Sequence, residues 1–227
     1  MPGCEIACTG PGWKTGMRVR ITFSKFGALR YIGHLDLHRI WERTCRRAGI
    51  ALSYSQGFHP QPRISLAAAL PLGFIGQAEL MDLWLEKDED LIEIIRLLQE
   101  SAPAGLKLTA IQSIENHQAA LQTQVKFADY EIIFLDPVDG EEIATKIERL
   151  ISSTTIRRTR RSRQYDLRPL IVSLKFIISD DDNPARLIMR LSASPAATGR
   201  PEEILSEFEI EPENTRIIRT GLVLKAE

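Results

Sequence analysis

Met17-Arg-Val-Arg-Ile-Thr-Phe23 alternates polar and apolar side chains, the period of a strand with one buried face. Working outward from it, Ser24 to Arg30 is a short basic connector, and a helix follows from about Gly33 to Ala48. Leu35, Leu37, Ile40, Trp41, Thr44, Cys45 and Ala48 give that helix an apolar face, and Gly49 ends it as a C-cap. Strands are expected at 64–69, 78–85 and 106–114, with a helix at 88–99. The order strand, helix, strand, strand, helix, strand is that of a ferredoxin-like split βαβ unit.

The second half repeats the order. A strand at 124–135, a helix at 141–151, strands near 154–159, 170–178 and 185–191, a short helix at 201–206 and closing strand or strands within 208–224 are expected. The expected fold is therefore α+β: tandem ferredoxin-like halves with antiparallel sheets, spanning 17–116 and 124–224, after a flexible leader at 1–16 rich in Gly and Pro. A single mixed α+β domain is the alternative.

The chain has 227 residues and 44 % hydrophobic content, ample for a core of either kind. It contains no apolar run long enough for a membrane helix, and its start resembles no signal peptide, so a cytoplasmic location is expected. Net charge is only -1, but its distribution is uneven. Residues 1–63 carry ten basic against three acidic side chains, and 157–168 carry six against one; the intervening stretch is strongly acidic. Two basic blocks on a neutral protein point to an anionic partner, with RNA the leading candidate.

The first block contains Ser53-Tyr-Ser-Gln-Gly-Phe-His-Pro-Gln-Pro-Arg-Ile-Ser65. Gly57 allows an unusual backbone angle, and Pro60 and Pro62 stiffen the loop. Tyr54 and Phe58 could stack on bases or fill the core; Gln56 and Arg63 could meet phosphates or base edges. Lys25, Arg30 and Arg39 flank the first helix, whose N-terminus offers free N–H groups to an anion. Pro71 and Gly73 turn the chain. The second block, Arg157, Arg158, Arg160, Arg161, Arg163 and Tyr165, offers forked guanidinium contacts to phosphate and one more ring for stacking. Asp166 and Arg168 are expected to form a local ion pair.

His34 and His59 are the catalytic candidates, as general acid or base toward RNA. His34 and His38 are four apart on one helix face, but the spacing lacks the acidic residue of H-E-x-x-H, so no metal is expected. Cys4 and Cys8 have the C-x3-C spacing that opens a radical-SAM cluster motif, yet Pro11 stands where the third ligand would fall. No cofactor is expected. The glycines of Leu70 to Gly76 match neither a P-loop nor a dinucleotide fingerprint, so enzyme status stays open.

Gly33-His-Leu-Asp-Leu-His-Arg39, Tyr54 to Ser65 and Leu70-Pro-Leu-Gly73 resemble a radical-SAM-linked bacterial domain family of unknown function, over roughly residues 17 to 220. The matching positions are His34, Asp36, Arg39, Ser55, Gly57, Pro60, Pro62, Arg63, Ser65, Pro71, Leu72 and Gly73; His38 stands where the family shows an apolar residue. The resemblance is to the standalone form, without the catalytic radical-SAM half. It implies work beside a radical-SAM or cobalamin enzyme, or beside a ribonuclease, since such members are encoded near an endoribonuclease and ribosomal proteins. The expected function is an RNA-binding accessory protein in RNA processing or modification. The alternatives are a metal-independent endoribonuclease and a non-catalytic partner module.

Overall fold

Val19, Ile21 and Phe23 of strand β1 (Arg18–Lys25) turn to the same side and are fully buried beneath helix α1 (His34–Arg47). Phe23 meets Trp41 edge to face, with ring centroids 4.9 Å apart. Such a pair adds about 0.5–1.5 kcal/mol beyond the area it buries. Gly49, at φ 71, ends the helix in the left-handed conformation that glycine adopts without strain. The structure is a computed structural model that describes residues 16–160, 162–180 and 183–225. The expected leader, with Cys4 and Cys8, lies outside the described residues apart from Gly16, as do Arg161 and the side chain of Arg163.

The first unit continues through β2 (Ile64–Leu66), β3 (Ile75–Trp84), α2 (Leu91–Ser101) and β4 (Leu106–Ile114). Its strands lie in the order β4-β1-β3-β2, each antiparallel to its neighbour. After α3 (Leu121–Gln124), the second unit runs β5 (Val125–Phe134), α4 (Gly140–Ser152), β6 (Arg157–Arg160), β7 (Arg163–Asp166), β8 (Ile171–Ile177), β9 (Arg186–Ser194), β10 (Ala197–Thr198), α5 (Pro201–Glu207) and β11 (Thr215–Leu224). Here the antiparallel order is β11-β5-β9-β8, with β10 on β9.

The fold is α+β as expected, but the expectation of antiparallel sheets is corrected. One nine-stranded mixed sheet crosses both units, because β11 pairs parallel with β3 at Ile218↔Ile75 and Arg219↔Gly76. The cause is the shortness of β2. It covers β3 only from Met81 to Leu83, so the first residues of β3 keep unpaired backbone groups, and β11 satisfies them.

Each unit has its own core. Trp41, Met81, Leu83, Ile94 and Leu98 belong to the first; Ile132, Ile143, Leu187, Leu191 and Ile204 belong to the second. The segment Leu70–Phe74 crosses between them: Leu70 and Phe74 leave the first unit and bury themselves in the second core. The stretch joining the units is packed as well. Leu121 is fully buried with Ala67 and Val125, and the carbonyls of Gln118 and Ala119 accept hydrogen bonds from Arg18 at 2.7 and 3.1 Å.

Candidate nucleic-acid interface and charged seam

The register gives the sheet two ends. At one, β3 finishes and β5 and β8 begin; at the other, β1 and β5 finish and β3 and β11 begin. The loop after α1 and the β6–β7 hairpin both adjoin the first end. Lys25, Arg30 and His34 lie at the second. α1 has 14 residues and spans about 20 Å, so His34 at its start and His59 in the loop beyond its far end belong to different places. The first basic block is thereby divided between the two ends of the sheet.

The loop is held by its own backbone. Ser53 N–H donates to Trp84 O at 2.7 Å, Arg63 N–H to Ser53 O at 2.8 Å and Ser55 N–H to Gln61 O at 2.8 Å. Gln61 N–H donates back to Ser55 Oγ at 3.0 Å, and Tyr54 bridges to Pro62. Gly57 at the tip has φ 133, and Pro62 is buried while Pro60 is exposed. Phe58 is wholly exposed and fills no core; Tyr54, Gln56 and His59 are exposed beside it. Arg63 lies over the Trp84 ring at 4.6 Å, and Arg18 lies over the same ring at 4.8 Å. At the exposed Arg63 such a contact is worth about 0.5–1 kcal/mol.

The second basic block is a hairpin, where the sequence suggested a strand near 154–159 and no partner. Arg157 faces Asp166, Arg158 faces Tyr165 and Thr159 faces Gln164, with Ser162 at φ 65 in the turn. Two of its side chains are engaged within the protein. Arg158 pairs with Glu207 at 2.6 Å and donates to Glu203 O, while the Tyr165 hydroxyl donates to Glu203 Oε1. Burial and that hydrogen bond push the Tyr165 phenol up to about 12. Both side chains moor the hairpin to α5. Arg157 and Arg160 remain exposed. The Asp166–Arg168 ion pair is also replaced. Asp166 Oδ1 accepts from the backbone N–H of Ile156 and Arg168, and the Arg168 guanidinium bonds the carbonyls of Ile151 and Ile171.

At the opposite end Lys25 is not the surface cation expected. It is 1 % exposed at the close of β1, with Nζ 3.3 Å from Ile32 O. Burial and Arg219 hold its pKa below the ordinary value against the pull of Glu79. Glu79 meets Arg219 in a two-point ion pair, and Arg219 also donates to Ala69 O and Ala68 O at 3.0 and 3.1 Å. A Cβ at Gly76 would lie 2.6 Å from Glu79 Cγ, so the seam leaves no room for a side chain there. His34 borders this cluster, exposed at the start of α1; partial burial, then His38, Arg219 and Lys25, hold its pKa down. Arg39 pairs with Asp36 at 3.2 Å on the open surface, and Arg30 covers the Tyr31 ring at 4.7 Å. Pro71 is exposed; Gly73, at φ 85, donates its N–H to Arg30 O at 2.9 Å.

A second buried charge group escaped the sequence reading. Asp82, fully buried, accepts from both Arg18 and Arg20, at 2.6 and 2.7 Å in their shortest contacts. The available signal was an acid inside a strand otherwise read as buried, since such a group demands a partner. Glu79 carried the same signal. Among the described residues, no three His, Cys, Asp or Glu side chains converge as metal ligands, and no helix is long and apolar enough to cross a membrane.

Fold and site define an α+β protein with a mixed sheet, a charged seam between two units and a basic, aromatic end. The chain belongs to the family described as uncharacterized protein conserved in bacteria (DUF2344), which matches residues 18–201 and is the radical-SAM-linked family its motifs resemble. No curated protein matches it. Among solved structures, it is similar to a chain of a Cbf5-Nop10-Gar1 complex at 8 % identity and TM-score 0.47, covering 92 % of this chain and 50 % of that one. The chain thus spans about half the length of that protein. A putative glycine cleavage system transcriptional repressor follows at 11 % identity and TM-score 0.26, covering 90 % and 98 %. Neither similarity is close enough to carry an argument about fold or function.

Proposed function

We propose that this chain is an RNA-binding accessory protein in RNA processing or modification, acting beside a radical-SAM enzyme. One observation carries the reading: Phe58 stands fully exposed on a backbone-braced loop, at the same end of the sheet as the free arginines of the β6–β7 hairpin. Leaving a phenylalanine in water gains nothing for folding; a stacked base would cover it. Arg157 and Arg160 supply the phosphate contacts that such a strand needs. The two units, 17–116 and 124–224, are taken as ferredoxin-like repeats, on the strength of their shared element order and strand order. The partner role rests on the family.

The test is binding of a fluorescent single-stranded oligoribonucleotide across a salt series. Affinity should fall steeply with salt. A flat response, or no binding at low salt, overturns the reading.

A further inference from the structure

Beside the hairpin lies a cavity of about 1000 Å³, walled by β7, the turn at Arg168–Leu170, β10 and the start of α5. Its polar groups divide by commitment. Asp166 Oδ1 is spent on two backbone N–H groups, and Glu203 Oε1 accepts from Tyr165. Glu203 Oε2 is shielded from solvent and has no hydrogen-bond partner. The guanidiniums of Arg160 and Arg200, both on the cavity wall, make no hydrogen bond or ion pair among the described residues. Pro169, Leu170 and Ala197 add an apolar wall.

A ligand that satisfies all of these needs an anionic group for two guanidiniums, a hydrogen-bond donor for one carboxylate oxygen and a flat apolar body between them. A sugar phosphate and an aliphatic carboxylic acid both lack the third. We propose that this cavity binds one nucleotide unit, with its phosphate on Arg160 and Arg200, a base N–H on Glu203 Oε2 and the base against Pro169 and Leu170. The inference rests on the RNA reading in that Arg160 belongs to the same hairpin. A free nucleotide and an unpaired nucleotide of a strand share this chemistry.

The experiment titrates the full chain with adenosine 5′-monophosphate, ribose 5-phosphate, inorganic phosphate and a single-stranded oligoribonucleotide by calorimetry. The monophosphate should bind at least roughly tenfold more tightly than ribose 5-phosphate, and Arg160→Ala with Arg200→Ala should weaken it by a similar factor. Thr198→Trp, at an exposed position on the cavity wall, should block it without disturbing the core. Unchanged nucleotide affinity in both variants overturns the inference, as does inorganic phosphate binding equally well. Oligonucleotide binding without any response to the monophosphate or to Thr198→Trp overturns the cavity alone and leaves the RNA reading standing. Monophosphate binding without oligonucleotide binding supports the cavity as a free-nucleotide site and overturns the RNA reading.

Discussion

Arg219 on β11 and Glu79 on β3 close the seam between the two units through a two-point ion pair that is almost wholly buried. The guanidinium has no idle edge: Nε and Nη2 serve the carboxylate, while Nη1 and Nη2 hold the carbonyls of Ala69 and Ala68. Those carbonyls lie just before Leu70, which enters the second core. One residue of the last strand therefore fixes both the parallel strand contact and the loop that couples the cores.

Glu79→Gln should destabilise the chain by about 3–5 kcal/mol, because it strips a buried guanidinium of its counter-charge. Replacing both partners, Glu79→Met with Arg219→Met, should cost less than Glu79→Gln alone. Urea unfolding midpoints compare the variants. A neutral Glu79→Gln would show that the seam is held by strand pairing and not by charge. Gly76→Ala should also destabilise, since its Cβ meets Glu79.

Local order was legible in the sequence, and long-range charge placement was not. The strand at 106–114 and the helices near 33–48, 141–151 and 201–206 agree with the structure to within two residues, because period and caps are local signals. The hairpin was missed since Arg157-Arg-Thr-Arg160 has no apolar face; Arg158 and Tyr165 anchor it to Glu203 and Glu207, some forty residues on. Lys25, Arg18 and Arg20 look like surface cations in an alternating strand. They are buried because β11 and the segment around Gln118 cover them, and no pattern in β1 announces that cover.

His34 should titrate below the ordinary histidine value near 6.5. His38→Gln and Lys25→Met should each raise its pKa, since each removes a neighbouring positive charge. The sign for stability follows from the depressed native pKa. Below pH 6.5 the unfolded chain takes up this proton first, so stability falls as pH drops toward the lowered native value; above that window the contribution is constant. Histidine NMR titrations of wild type and the two variants check it, and a pKa above 6.5 in the wild type would contradict the placement of His34 beside Lys25 and Arg219.

Cys45 should resist thiol reagents at pH 8 until the chain unfolds. It is fully buried on the inner face of α1, and burial pushes its thiol up to about 12, leaving almost no thiolate to react. In a variant carrying Cys4→Ser and Cys8→Ser, labelling by a chromogenic disulfide should proceed only in denaturant. Rapid labelling of the native variant would show that the first core opens locally.

Phe58 and the free hairpin arginines should contribute to RNA binding in separable ways. Replacing Arg157 and Arg160 with Gln removes two phosphate contacts, and the slope of log affinity against log salt should flatten by roughly 0.7 for each on a single strand. Phe58→Ala removes stacking and no charge, so it should cost about 1–3 kcal/mol at every salt concentration and leave the slope alone. Phe58→Tyr should restore most of the loss. A perfect duplex offers no unstacked base to the loop and should bind more weakly than the same sequence single-stranded. Equal binding of duplex and single strand, with Phe58→Ala silent, would reduce the interface to its arginines and leave the exposed ring without a nucleic-acid role.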